Sequence, residues 1–222
     1  MLVSILLAAV LFAPGETLDY DVKWGALRLG GLTLQTLEPD SVRGESCHAF
    51  RADLSLRLGF LFRAEYELEA WSRVSDLATL RSSKRTEESR YRDHWTAEFD
   101  QDSLRAYYSD GDTLELEGET FDLLTLWYLF RTLDVTEQDT LVRYCHTDRQ
   151  NWAVAVTQAG EQEVEVPAGA FYCDRLVPVV SGPLGEVYLA QEGNRVPVVI
   201  RMKAGGIEVS AVLKEVRTME ER

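Results

Sequence analysis

Two Cys-His pairs are the part of this sequence whose residue types best suit a metal ion. Cys47 precedes His48, Cys145 precedes His146, and Cys173 adds a third thiol. Closed zinc sites use short, fixed ligand spacings, which are absent here. Neighbouring side chains in a strand point to opposite faces, so one pair cannot give both ligands to one ion. We predict no metal and no cofactor, and the thiols form either one disulfide with one free cysteine or three buried unpaired thiols.

Catalytic signatures are the second kind of chemistry to consider. The sequence has no G-x-S-x-G, H-E-x-x-H or C-x-x-C motif and no glycine-rich phosphate loop. Aspartate and glutamate could act as general acids or bases, but 37 of them are present and nothing singles out a pair. We predict no catalytic residue and favour a non-enzymatic role, with a carboxylate-dependent envelope hydrolase as one alternative.

The charge of the chain restricts its partners. Lys and Arg number 23 against 37 Asp and Glu, which gives a formal net charge of -14. Nucleic-acid binding depends on basic residues that neutralise phosphates, so no nucleic-acid partner is predicted. The same acidity favours solubility and disfavours attraction of the whole chain to anionic lipid headgroups.

The N-terminus resembles a secretion signal. Residues 2–12 form an apolar run of signal-peptide length that is too short to span a bilayer, and Ala13 and Gly15 suit cleavage. We therefore predict a signal peptide over residues 1–15 and one β-rich domain over residues 16–222. A buried first strand and an uncleaved anchor are the alternatives. No later segment is long and apolar enough to cross a membrane, so the mature chain is predicted to have no transmembrane segment.

Period-two alternation of apolar and polar residues dominates the chain and is typical of half-buried strands. Residues 50–58 and 62–69 share one parity, which predicts a strongly curved pair of strands with a break near Gly59. Gly160 is predicted to separate two later strands. The fold class is mainly β: a curled antiparallel sheet or partial, open β-barrel of about ten to twelve strands.

The segment FDLLTLWYLFRTLD, residues 121–134, predicts a helix over about 121–133. It is apolar on all sides, which is typical of a buried helix. Thr120 or Asp122 can cap its first turn, and Arg131 near its end interacts favourably with the helix dipole. An antiparallel sheet has an apolar face that must be covered, so we expect the sheet to pack around this helix.

Five aromatic residues are candidates to line an apolar cavity between sheet and helix: Trp24, Trp95, Trp127, Tyr128 and Phe130. Barrels and half-barrels hold small apolar ligands in such cavities. The alternative is that these side chains only fill the core.

Four motifs in order resemble a bacterial exported family, domain-of-unknown-function family 3108. They are YDVKWGALRLG, FDLLTLWYLFR, VPAGAFYCDRLVP and NRVPVVI. The motif residues are Tyr20, Trp24, Gly25, Gly30, Asp122, Leu124, Tyr128, Arg131, Pro167, Ala168, Gly169, Phe171, Arg195, Pro197 and Val198. The resemblance covers nearly all of the chain after the signal. It implies a periplasmic or envelope-associated protein of β-rich fold and no known activity.

Three functions remain open. The first is a non-enzymatic envelope protein that binds a lipid, another apolar molecule or an envelope partner. The second is a structural or interaction module with a filled core, and the third is the hydrolase named above.

If the chain is exported, the mature protein should begin near Glu16, since the small residues before it suit signal peptidase. N-terminal sequencing of protein recovered from the envelope fraction measures this. Retention of Met1 would contradict the prediction.

Overall fold

The computed structural model describes residues 11–59, 62–133, 140–180, 182–204 and 207–218. In this part of the chain, alternating residues form sixteen strands of one sheet. The strands are β1 Thr17–Trp24, β2 Leu27–Thr36, β3 Asp40–Val42, β4 Glu45–Leu58, β5 Phe62–Arg73, β6 Thr79–Glu88, β7 Tyr91–Asp100, β8 Arg105–Tyr108, β9 Thr113–Glu115, β10 Thr120–Phe121, β11 Thr140–Thr147, β12 Gln150–Val166, β13 Gly169–Pro178, β14 Val187–Ala190, β15 Pro197–Ala204 and β16 Ile207–Arg217. Helix α1 spans Leu123–Thr132.

The sheet is open and almost wholly antiparallel. Its order is β10-β11-β12-β13-β14-β15-β16-β1-β2-β4-β5-β6-β7-β8-β9, and β3 pairs with β4 beside this path. The short β10–β11 contact is parallel. This confirms the predicted fold class, and β4 and β5 pair as predicted, with Gly59 directly after β4. The predicted number of strands was wrong, because β3, β9 and β10 have two or three residues each and β6 is too polar to alternate clearly.

Strand β12 also differs from the prediction. It runs unbroken for 17 residues, and its pairing with β13 shifts register between Gln158 and Glu161. Gly160 lies inside this irregularity with φ of 98°. The glycine therefore allows a bulge in one long strand rather than a turn between two, since a bulge also needs the left-handed conformation.

Helix α1 is buried on every side, as predicted. All residues from Leu124 to Arg131 are buried, and the helix lies against β4, β5 and β11. Tyr128 stacks on Phe50 with ring centroids 3.8 Å apart, and Phe12 meets both rings edge-on. The helix thus provides the apolar surface that the concave face of the sheet requires.

The first turn of α1 is fixed by a buried carboxylate. Asp122 caps the helix by accepting hydrogen bonds from the backbone N–H of Leu124 at 2.7 Å and Thr125 at 3.0 Å. The hydroxyls of Thr125 and Thr79 donate to its other oxygen, and Ser72 bonds to Thr125 at 2.8 Å. Burial raises the pKa of Asp122 despite these donors. The network attaches the helix start to β5 and β6.

The last turn of α1 is fixed by a buried ion pair. Arg131 donates to both carboxylate oxygens of Glu16, at 2.6 and 2.9 Å, and each side chain is 1% exposed. The guanidinium also donates to the carbonyls of Leu11 and Asn194. It lies over the rings of Phe12 and Tyr128, which adds cation–π attraction. Arg131 is in the last turn, as the dipole argument predicted.

All three cysteines are buried and unpaired in the described structure. Cys47, Cys145 and Cys173 lie in β4, β11 and β13. Burial raises the pKa of each thiol, to about 11 for Cys173. Of the two arrangements left open by the sequence, the structure has the three buried thiols.

We expect Arg131→Met to lower the free energy of unfolding by about 3–5 kcal/mol, because it leaves the Glu16 carboxylate buried without its partner. The double variant Glu16→Leu/Arg131→Met should lose less than the single variant, since no charge then remains buried. Urea denaturation measures both. The exposed Arg63→Met is a control that should change little. If the double variant lost as much free energy of unfolding as Arg131→Met or more, the result would contradict the coupling between the two residues.

Candidate ligand-binding cavity

A cavity of about 480 Å³ lies between α1 and the concave face of the sheet. Its walls come from β1, β2, β4, β5, β15, β16 and one face of α1. They include Val22, Leu32, Leu54, Leu56, Leu68 and Trp127. The cavity exists because residues of even parity on β4 and β5 turn the same apolar face towards the helix, which covers only part of that face.

One end of the cavity is polar. Lys84, Glu88, Asp148 and Tyr66 line it there. Lys84 forms an ion pair with Asp148, and Tyr66 donates a hydrogen bond to Glu88. Burial and the Glu88 carboxylate together raise the pKa of Tyr66. This end therefore carries one cationic and two anionic side chains beside a phenol.

The Lys84–Asp148 pair crosses the gap between the two ends of the open sheet, since β6, which holds Lys84, does not pair with β11 or β12, whose turn holds Asp148. Other side chains cross the same gap. Tyr108 of β8 bonds to Nε2 of His146 at 2.8 Å, and Asn151 donates to the Glu115 carbonyl at 2.7 Å. Side chains thus hold together two edges that backbone hydrogen bonds do not join. We call this gap the seam.

His146 is buried at the centre of the seam. Nδ2 of Asn151 donates to a carbonyl, so its Oδ1 faces Nδ1 of His146, at 2.6 Å, and can only accept. Nδ1 therefore carries the hydrogen, and Nε2 accepts from Tyr108. Burial lowers the pKa of His146 and raises that of Tyr108 to about 12. The neutral imidazole is the form that fits the seam.

The five predicted aromatic residues are not brought together. Trp127 lines the cavity, while Tyr128 and Phe130 are buried in the main core. Trp95 belongs to a separate cluster with Phe99 and Tyr108. Trp24 is exposed at the end of β1. Strand residues outside the motifs, such as Leu32, Leu54 and Leu68, line the wall beside Trp127 instead.

The polar end was missed by sequence reasoning. Lys84 and Asp148 are 64 positions apart, and a spacing of that size carries no signal. Tyr66 did fall on the apolar face of the alternation, so its inward position was readable. Its hydrogen bond to Glu88 depends on the β5–β6 register, which the sequence did not reveal.

Comparisons with known proteins identify the family and the fold. The sequence model of the family described as "Protein of unknown function (DUF3108)" matches residues 19–210. The chain belongs to this family. No curated protein sequence matches the chain.

Solved structures resemble this DUF3108 member at low sequence identity. A beta-barrel-like protein of domain-of-unknown-function family DUF1849 from Brucella abortus aligns with TM-score 0.65 and 11% identity, covering 92% of this chain and 98% of that one. This likeness supports the barrel-like fold. A candidate lipoprotein from Parabacteroides distasonis has TM-score 0.40 and 11% identity, covering 93% and 96% of the two chains. A candidate exported protein with a YmcC-like fold from Bacteroides fragilis has TM-score 0.32 and 9% identity, covering 92% and 96%.

Several motif residues of this DUF3108 chain hold the end of α1. Tyr20 donates to the Pro197 carbonyl at 2.8 Å. Arg195 donates to Asp174 at 3.0 Å and to the carbonyl of Leu133, which follows the helix. Tyr20 thus joins β1 to β15, Arg195 joins β13 to the residue after the helix, and Arg131 joins the helix to Glu16 and Asn194. Structural support is therefore the role that the contacts give these residues.

Other motif residues shape turns and close contacts. A Cβ on Gly30 would lie 1.8 Å from the Ser55 carbonyl oxygen, so only glycine fits where β2 approaches β4. Gly25, with φ of 56°, lies in the β1–β2 turn, where left-handed backbone favours glycine. Pro167 and Gly169 lie at the β12–β13 turn, and Phe171 packs against the main core.

Two features bear on catalytic and metal chemistry among the described residues. A raised carboxyl pKa occurs at Asp122, which is enclosed in the helix cap and faces no cleft. No group of three potential ligands lies close enough to hold a metal ion among the described residues. Within the same residues, no helix combines the length and apolar character needed to cross a membrane.

Stability should fall in acid through His146. Its folded pKa lies below the ordinary value of 6.5, so the unfolded chain binds the proton first as pH falls. The contribution is complete above about pH 6.5 and is lost below it. Urea denaturation at pH 7.5 and 5.5 should show a smaller loss for His146→Gln than for the wild type. The exposed His94→Gln is the control, and equal losses in all three proteins would contradict the assignment.

Proposed function

We propose that this protein binds a lipid, with an acyl chain inside the cavity and the headgroup at its polar end. The observation that carries the proposal is the combination of a 480 Å³ cavity, apolar walls and a charged end. Sites for small molecules commonly have volumes of about 300–1,000 Å³, with mostly apolar walls and a few polar groups that set orientation. This space supports a binding role more than the alternative of a structural module with a filled core.

The polar end favours a zwitterionic headgroup. Lys84 offers a cation to a phosphate, while Glu88 and Asp148 offer carboxylates to an amine. A fatty acid has one negative charge and would meet a site whose side chains sum to one negative charge. A zwitterionic phospholipid matches both signs, and charge-assisted hydrogen bonds would orient it.

The proposed location is outside the cytoplasm, at the cell envelope. The apolar run over residues 2–12 supports export. Leu11 and Phe12, which belong to the predicted signal peptide, nevertheless pack into the core beside Arg131. Cleavage before Glu16 would remove those contacts and leave the Glu16–Arg131 pair to hold the end of α1.

A cavity-filling substitution tests the proposal. Leu56 lies on the cavity wall and is only partly buried, so Leu56→Trp should fill the space while the fold tolerates the larger side chain. We expect binding of a zwitterionic phospholipid that carries a fluorescent polyene acyl chain to weaken at least about tenfold, the effect of losing 1.4 kcal/mol. Lysophosphatidylethanolamine should displace this probe from the wild type.

Leu114→Trp is the matched control, because Leu114 is also partly buried but packs against the Trp95 cluster away from the cavity. Its probe affinity should equal that of the wild type. Native mass spectrometry with solvent extraction would identify a lipid that copurifies. Equal probe binding by both variants, or none by the wild type, would overturn the proposal.

A further inference from the structure

Three neighbouring hairpins place their turns at one end of the sheet. The β1–β2, β4–β5 and β6–β7 hairpins use six strands that are consecutive in the sheet. Gly30 near the start of β2 pairs with Leu56 near the end of β4, and Ala64 near the start of β5 pairs with Glu88 at the end of β6. The three turns therefore lie side by side.

These turns expose large apolar side chains. Trp24 and Leu27 flank the first turn, Leu58 and Phe62 the second, and Tyr91 follows the third. Each is between 39% and 57% exposed. Single exposed apolar residues are ordinary, but five on adjacent turns form a patch that indicates an interaction surface.

The same turns are basic, although the chain is acidic. Each turn has two basic residues at or beside it: Lys23 and Arg28 at the first, Arg57 and Arg63 at the second, and Arg90 and Arg92 at the third. Acidic residues are absent from the sequence around these turns, over residues 22–29, 56–64 and 89–92. Arg28 pairs with Asp21 on the neighbouring strand β1, and Arg63 pairs with Glu65 on its own strand. Lys23, Arg57 and Arg90 make no ion pair within the described part of the chain.

We propose that this basic–apolar rim, formed by the five apolar and six basic residues of the three turns, docks on an anionic lipid bilayer. Apolar and aromatic side chains partition into the headgroup region while Lys and Arg contact lipid phosphates. The rim is thus expected to attract an anionic bilayer, although the net charge of the whole chain predicts repulsion. Salt screens charges beyond about 8–10 Å, so the acidic faces further away repel the surface only weakly and orient the protein rim-first.

The rim also borders the cavity. Val22, Leu56 and Glu88 line the cavity and lie two or three residues from Trp24, Leu58 and Tyr91. Docking would thus place the cavity end that holds Glu88 next to the bilayer. The inference nevertheless stands apart from lipid binding in the cavity, which is measured without vesicles, so either can fail alone.

Vesicle flotation with the full chain tests docking. The wild type should bind vesicles of phosphatidylcholine and phosphatidylglycerol and should bind pure phosphatidylcholine much less. Arg57→Gln/Arg90→Gln should lower the partition coefficient roughly 25-fold, because each basic residue near an anionic surface contributes about fivefold. Trp24→Ala/Phe62→Ala should lower it for both vesicle types.

Arg105→Gln/Tyr107→Ala is the matched control, since both residues are exposed on β8, which pairs with the far half of β7. Its partition should stay within about twofold of wild type, given the Debye screening of distant charge. Equal binding by rim and control variants, or no wild-type binding, would refute the rim as a membrane surface.

Fluorescence quenching by brominated lipids gives an independent readout. Bromine quenches indole at contact, so Trp24 should be quenched on anionic vesicles. Trp24→Phe should abolish most of the quenching, whereas Trp152→Phe should preserve it. Unchanged quenching in Trp24→Phe would mean that another surface, such as the apolar N-terminal run, meets the bilayer, and would contradict the proposal.

Discussion

The buried ion pair between Arg131 and Glu16 is the contact on which the arrangement of helix and sheet depends. A buried charge is costly unless it is fully paired, and here the guanidinium meets four acceptor atoms from three parts of the chain. A rotation or shift of α1 would break some of these hydrogen bonds. Asp122 imposes a similar condition at the other end through Thr79. Apolar packing alone would let a helix with no polar face rotate, so these two residues define its orientation and the side it turns to the cavity.

An open sheet then needs another way to bring its ends together. Backbone hydrogen bonds do not join β6–β9 to β10–β12, and side chains bridge the seam instead. The inner contacts, such as Tyr108 with His146, are buried, whereas Asp148 at the cavity end is mostly exposed. Exposed ion pairs contribute little stability. The seam is therefore strongest beside the Trp95 cluster and weakest where it borders the cavity, so a lipid could separate Lys84 from Asp148 at small cost.

Sequence patterns predicted the strands and the helix whose formation depends on residues close together in the chain. Alternation located β1, β4 and β5, and an apolar run with Asp122 before it located α1. The pattern failed at β6, whose LRSSKRTEE sequence is polar on both faces, because Lys84 and Glu88 turn inward to the cavity end rather than to a dry core. It also failed for the aromatic residues, since Trp24 and Trp95 look like core residues in sequence. Their separation follows from which hairpin each occupies, and that depends on long-range pairing.

The net charge of the chain does not predict the local charge at each part of this curled sheet. Each hairpin reverses the chain, so residues at the turns of three hairpins collect at one end whatever the composition of the strands between them. The acidic residues of this protein lie mainly along outward strand faces, such as Asp53, Glu67 and Glu69 around Arg51. The turns are free to carry the opposite sign. A rim of Arg and exposed Trp, Leu and Phe beside an apolar cavity links the two proposals, because docking by the rim would bring the cavity to a lipid surface while the acidic faces stay in water.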